Sequence, residues 1–484
     1  MNSVLVDVTD LVEFLQRQES VSGVQRVIAE VAPLLGRFAP TEFVVLDRHR
    51  GVFVTLTSGE ASTVIDCGAR AQSSATRAEL AQAAKTVLDR ARSADSVDMS
   101  SGISLVFLGA LWINDALMMA ARLAHLQGAA IVSLLYDLTP VMEEGHTEAV
   151  NRLFERYLNL VLQCADRVPA ISQSSRRDFE DYARSRSLVA PHGIATGLPC
   201  GLSPNDRDLA RAPWPRDYAL FVGTVEARKD HIVAFRAWQQ LIEKLGADHV
   251  PDLVCIGRLG WHASDFLREY VTTGGLDGKV SLLSSSVSDE ELARFYDHAE
   301  FTVYPSRYEG WGLPVSESIA FGKVPVAARN SSIPEAGGDL AVYFETGDPS
   351  SLAQAVETNV LNEDRRRDLE ERIRTTPLDA VTWEDVAEQM AAEIDQAQWR
   401  TPVFPTLELG REYVLSVNQP SPDEGYADQY LDHLTREGLS PMLRQPRGEQ
   451  EIEIIDAAVI GTFGSPQTWG YEIRPGAFAE FRFS

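Results

Sequence analysis

Cysteine is scarce in this chain, and the four present, Cys67, Cys164, Cys200 and Cys255, fall at no paired or metal-like spacing. That excludes a disulfide framework and a cysteine-based zinc site, and reads as reduced, mostly buried thiols in a cytosolic protein. Long hydrophobic runs are absent too. The most apolar stretch, Ile103 to Ile113, is interrupted by Asn114 and Asp115 and is too short to span a bilayer, so any membrane contact is expected to be peripheral. Near the start stand Asp7 and Asp10, where a secretory leader would place basic and then apolar residues. Positive charge is also short: 44 Lys and Arg against 70 Asp and Glu give a net charge of −26, which sets the chain against a nucleic-acid backbone. Most of the acidic excess follows residue 200, so the first part repels an anionic surface least. His146 and His192 have no second ligand or nucleophile at a useful spacing, which argues against a metal site or a catalytic triad there.

What is present is a soluble composition, 44% hydrophobic and 24% charged, over 484 residues, enough for two or three domains. The most informative stretch runs from Ser306 to Gly338. Phe301 to Pro305 is short, β-branched and aromatic, as a buried parallel strand is. After Pro314, residues Val315, Ile319 and Ala320 recur at helical spacing and Gly322 stops the helix. A strand, a glycine loop and a helix in that order place backbone N–H groups at a helix N-terminus, where an anion such as a phosphate is favoured. Glu309 is expected in the loop and Glu317 in the first helical turn, both facing the crevice at the carboxyl end of a sheet.

The string E-G-W-G-L-P-V-S-E-S, continued by G-K-V-P-V-A and S-S-I-P-E-A-G-G, resembles the two-glutamate signature of retaining GT-B glycosyltransferases of family 4, the glycosyl transferases group 1. The resemblance is strong from Phe221 to Glu384 and looser from Ser3 onward. It implies an α/β protein of two Rossmann-like, doubly wound domains facing a cleft. Glu309 would hold donor-sugar hydroxyls, Gly310, Trp311, Gly312 and Leu313 would offer backbone N–H groups to sugar and phosphate, and Glu317 would grip the ribose.

Other segments fit the same pattern. Ser22-Gly23 precedes apolar residues at helical spacing and resembles the family's first glycine loop, so Gly23 is either a donor-diphosphate contact or a plain helix start. The strand Ala130 to Leu135 opens into Tyr136-Asp137, where the family commonly has His-Asp; Asp137 is then a candidate for positioning sugar or acceptor, or a turn residue. Gly223 to Asp230 resembles a loop whose basic pair neutralises the diphosphate. Departure of a nucleoside diphosphate builds negative charge that cations must meet, and Lys229 suits that task as a compact point charge. Arg228 would assist it or pair structurally with Glu226, and Thr224 stands where some relatives place a further arginine. Arg258 follows another strand, and Val287 opens a turn against which the family seats the donor base.

The expected organisation is an acceptor-side domain over 1–204, a Pro- and Gly-rich linker, a donor domain over 216–384, a crossing-back helix over 385–400 and a β-rich extension over 401–484. The extension is read as a structural cap, a glycan contact or a homo-oligomer surface. The expected activity is a metal-independent, retaining transfer of a hexose or deoxyhexose such as mannose, glucose or rhamnose. The donor would be GDP-mannose or a UDP- or dTDP-sugar, and the acceptor a glycan or lipid-linked hydroxyl in bacterial surface-polysaccharide or lipopolysaccharide synthesis. Such an enzyme would be cytoplasmic, at most peripheral at the inner face of the membrane. A nucleotide-sugar epimerase and a catalytically weak partner subunit are the rival readings.

Overall fold

The computed structural model describes residues 3–403 except 18–22, 71–76, 101, 144–147, 203, 205–208, 261, 285–286 and 377–380, and also residues 458–460 and 468–470. His146 and most of the expected extension therefore lie outside the described residues. Of the extension, Ala458–Ile460 and Thr468–Gly470 pair as antiparallel strands.

Two parallel sheets carry the chain. In the first, β1 (Ser3–Asp7), β2 (Thr41–Asp47), β3 (Val52–Thr55), β4 (Ile103–Phe107) and β5 (Ala130–Ser133) lie in the order β3-β2-β1-β4-β5, with only β3 antiparallel. Parallel bridges from Val132 to Arg167 and from Leu135 to Ala170 extend it by one more segment. The second sheet has β6 (Tyr218–Val222), β7 (Asp252–Ile256), β8 (Val280–Leu283), β9 (Phe301–Tyr304), β10 (Pro325–Ala328) and β11 (Val342–Phe344) in the order β11-β10-β9-β6-β7-β8, all parallel. Their near-continuous apolar sequences follow from burial on both faces; every residue of β7, β9 and β10 is buried.

Each strand order reverses once, between β1 and β4 in the first sheet and between β6 and β9 in the second. Adjacent crossovers diverge at such a switch point and leave a crevice beyond the strands' carboxyl ends, the usual ligand position in open α/β sheets. The loops after β6 and β9 carry the two motifs singled out in the sequence, the basic pair and the first glutamate.

Among the helices that escaped the sequence reading are Thr9–Arg17, Ser58–Arg70, Ser264–Thr272 and Glu363–Thr375, all polar enough to pass for connecting chain. The helix Trp383–Asp395 packs back on the first domain, burying Val386, Ala387, Met390 and Ile394 in the core around Val27, Val31 and Leu35. The chain then stays there: the Trp399 ring stacks on His125, the Arg400 guanidinium donates to the carbonyls of Ala165 and Leu162, and Val403 N–H donates to Gln163 O. Among the described residues no helix is long and apolar enough to cross a membrane.

Candidate functional site: the crevice between the two sheets

Glu309 follows β9 by a five-residue step, so its carboxylate hangs at the switch point opposite the loop after β6. Its Oε1 accepts from Lys229 Nζ at 2.6 Å, Tyr304 Oη at 2.7 Å and Ser306 Oγ at 2.5 Å, and its Oε2 pairs with Arg228 Nη1 at 2.8 Å. Burial alone would raise the pKa of this group. The two cations and the donated hydrogen bonds outweigh that and hold it at about 2, so the carboxylate is ionised throughout the physiological range.

The cations are set by the turn after β6. Asp230, with φ at 56°, reverses the chain between the short turn Ala227–Lys229 and the helix His231–Leu245, turning both basic side chains toward β9. Arg228 also donates to Glu226 Oε1 and Tyr308 O, both at 2.8 Å, so the structural pairing considered for it is present together with the contact to Glu309. Burial disfavours its charge, but Glu309 and Glu226 more than restore it and its pKa lies above the ordinary arginine value. Lys229 is shifted down by burial against the pull of Glu309. Its ammonium donates to Tyr304 Oη at 2.8 Å and to Glu309, which leaves one of its three protons for a ligand oxygen.

Beyond Glu309 the loop is braced from β10. Ser331 Oγ accepts from Glu309 N–H, Ser332 Oγ donates to the carbonyls of Glu309 and Trp311, and Asn330 Nδ2 donates to Ser306 O. Gly312, at φ 108°, turns the chain into the helix Leu313–Ala320, a conformation that a side chain would resist. Glu317 therefore sits one turn inside the helix and not in its first turn as expected; it is buried, and its Oε2 accepts from Tyr296 Oη at 2.8 Å. Desolvation raises its pKa, while Arg26 from the first domain works the other way.

From the first sheet, Asp137 Oδ1 caps Thr139 N–H at 2.8 Å beyond β5, and the Asp137 charge reaches Arg228. A Cβ on Gly310 would lie 2.6 Å from Tyr136 O and 3.0 Å from Asp137 Cβ, so the donor loop touches the opposite domain at a position with room only for glycine. Tyr136 does not present its ring to the crevice. Its hydroxyl donates to Leu108 O at 2.5 Å and its ring packs edge-on to Trp112 in the first domain's interior. Gly23 starts the helix Gly23–Leu35 and faces Leu313, while the Trp311 ring crosses the interface onto Gly197 and Val381. Val287 packs against the Leu202, Ile256 and Phe295 cluster, and Arg258 is exposed beyond β7. His192 is remote from the crevice, its Nδ1 2.7 Å from Arg167 Nη1.

The structure thus brings Glu309, Lys229, Arg228, Gly310 and Asp137 together, with Glu317 one turn beyond along the donor helix. Sequence reasoning missed Tyr304, Ser306, Tyr296 and the Asn330-Ser331-Ser332 brace, which are ordinary residue types given a role only by the fold. Among the described residues no group of three or more His, Cys, Asp or Glu is arranged to hold a metal ion.

With that geometry in hand, the chain can be compared with known proteins. Residues 205–376 match the family described as Glycosyl transferases group 1, and the two facing α/β domains have a GT-B fold. Among curated proteins it is similar to the serotype-specific mannosyltransferase WbdA of Escherichia coli, 29% identical over 246 residues covering 48% of this chain and 30% of that protein. It is also similar to O-antigen chain mannosyltransferase B of Escherichia coli, 28% identical over 256 residues covering 51% of this chain and 65% of that one. The chain thus spans about a third to two thirds of the length of these relatives. The fold is shared with Anabaena Alr3699/HepE, solved in complex with UDP-glucose, at a TM-score of 0.54 and 14% identity over 82% of this chain and 100% of that one.

Proposed function

We propose that the chain transfers a hexosyl unit, mannose being the sugar its sequence relatives point to, from a nucleotide sugar to a hydroxyl of a glycan or lipid-linked acceptor in surface-polysaccharide synthesis. The observation that carries this reading is the convergence of Lys229, Arg228 and Glu309 at the switch point of the second sheet, with Asp137 of the first domain across from them. Lys229 and the N-terminus of the helix Leu313–Ala320 take the diphosphate, and Glu317 takes the ribose hydroxyls. Glu309 holds the cations in place and receives hydroxyls of the donor sugar as a partner is exchanged.

In this reading the reaction retains configuration. The bond from the anomeric carbon to the phosphate oxygen breaks, the acceptor oxygen bonds to the same face, and the acceptor proton passes to the departing diphosphate. Buried cations stabilise the charge that develops on that group, so the reading needs no metal ion. Asp137 orients the acceptor side, and contact between the domains at Gly310 keeps water from the donor. Peripheral association with a membrane and self-association through residues 401–484 fit a lipid-linked acceptor and belong to the same proposal.

Calorimetry with GDP, UDP, dTDP and ADP, followed by product analysis with the matching sugar nucleotides, tests the reading. Binding of one nucleotide and net transfer to an added glycan acceptor are expected. Release of an altered nucleotide sugar without an acceptor would assign an epimerase instead, and no nucleotide binding at millimolar concentration would remove the enzyme reading.

A further inference from the structure

The ribose end of the crevice contains one side chain from the wrong side. Arg26 stands on the helix Gly23–Leu35 of the first domain, yet its guanidinium leaves that domain altogether. Nη1 donates to Gly201 O at 2.7 Å in the segment connecting the domains, and Nη2 reaches Asp289 Oδ2 at 3.2 Å at the start of the donor-domain helix Asp289–His298. Its Nε is buried and has no hydrogen-bond partner. The connector is pressed into the gap: a Cβ on Gly201 would lie 2.6 Å from Arg26 Nη1 and 2.9 Å from Glu317 Oε1. Arg26 and Glu317 thus flank one glycine, with Tyr296, Cys200 and Asp289 around them.

We propose that Arg26 is a donor-affinity determinant supplied by the acceptor-side domain: its guanidinium sets the carboxylate of Glu317 and the Asp289 turn in their ribose-binding arrangement when the domains meet. The Tyr296 hydroxyl fixes one Glu317 oxygen, and the Arg26 charge nearby opposes the upward shift that desolvation imposes on the carboxylate, favouring the ionised acceptor that ribose hydroxyls need. Because that cation belongs to the other domain, the ribose subsite is complete only while Arg26, Gly201 and Asp289 are in register. Arg26 is a positioning residue, since it acts through Glu317 and Asp289. The proposal rests on the donor-binding reading of Glu317.

The test uses the full chain and whichever of GDP, UDP, dTDP and ADP it binds most tightly. Losing a charge-assisted contact of this kind is expected to raise Kd about tenfold in Arg26→Ala, with donor KM rising in step and kcat at saturating donor within about threefold. Arg26→Lys should fall between the two, keeping the charge but losing the fork. Gly201→Ala leaves every charge in place and displaces the guanidinium, so it should weaken binding in the same direction; it carries the test should Arg26→Ala not fold. Kd values unchanged in folded Arg26→Ala and Gly201→Ala would overturn the proposal while sparing the donor reading. A wild-type chain that binds no nucleotide would remove the donor reading, and this inference with it.

Discussion

Glu309 accepts from three side chains and is ion-paired with a fourth, Arg228, so its substitution separates two roles that a sequence motif merges. In Glu309→Gln one amide oxygen still accepts, but the amide nitrogen meets Arg228 or Lys229 as a donor against a donor; Lys229 loses its ion-pair partner, and Arg228 keeps only Glu226. Leaving such a buried charge uncompensated costs about 3–5 kcal/mol in stability. The freed cations remain available to phosphate, so nucleoside diphosphate affinity should hold or rise while kcat falls about a hundredfold. Glu317→Ala should do the reverse to affinity, weakening nucleotide binding about tenfold through the lost ribose contacts. Calorimetry and steady-state kinetics on the two variants decide this, and equal loss of affinity in both would refute the division of roles. Both glutamates could be picked out in the sequence through the string that resembles the family signature, since a strand, a glycine turn and a helix start flank them locally. Arg26 could not: its partner Asp289 lies 263 residues away, and no local pattern announces a contact of that reach.

At the scale of elements, the unit from β9 to the helix Leu313–Ala320 was readable because apolar strands, glycine turns and Pro-initiated helices each have a local physical signature. Ser331 and Ser332 belong to a quoted motif but could not be given a task there, since serines become loop supports only once β10 is laid beside β9. Tyr136 stands where the family commonly has histidine, and the sequence could not say where its ring goes: it finds a partner in Trp112, and its hydroxyl a carbonyl, Leu108 O, inside the first domain. The place where that turn does act is through its backbone, against Gly310. Gly310→Ala would insert a methyl 2.6 Å from Tyr136 O, so the domains must separate locally. Nucleotide affinity, which rests on the Lys229 end and on the Glu317 and Arg26 end and not on Gly310 itself, should stay within about threefold, while transfer falls about a hundredfold or more and the share of donor lost to water rises. Comparing sugar transferred with sugar hydrolysed measures this directly; an unchanged ratio would show that closure at Gly310 does not guard the donor.

For the molecule as a whole, the carboxylates that burial raises and Glu309, which its cations lower, respond to pH in opposite senses. Asp7, at the end of β1, is pushed up to about 8 by burial against the hydrogen bonds from Thr9, with Asp10 and Glu13 adding to the rise. Burial likewise takes Asp10 to about 6 and Asp166 to about 7. Each folded value lies above the unfolded one, so the folded state stays protonated where the unfolded chain has already ionised. Their stabilising contribution is complete below about 3.8 and is lost as pH rises through the folded values. Glu309, held at about 2, contributes above its ordinary 4.5 and loses that contribution only as pH falls toward 2. The chain's net charge of −26 adds repulsion on the alkaline side. The thermal midpoint should therefore be higher at about pH 5.5 than at about pH 8.5, with roughly 1.4 kcal/mol lost per pH unit for each such group between its two pKa values. Asp7→Asn keeps an oxygen for the Thr9 hydroxyl and can never ionise, so its profile between pH 3.8 and about 8 should be flatter than the wild type's, with the largest difference at the alkaline end. Scanning calorimetry of both proteins across that range is the measurement, and parallel profiles would mean that Asp7 is not the group whose ionisation strains the first domain.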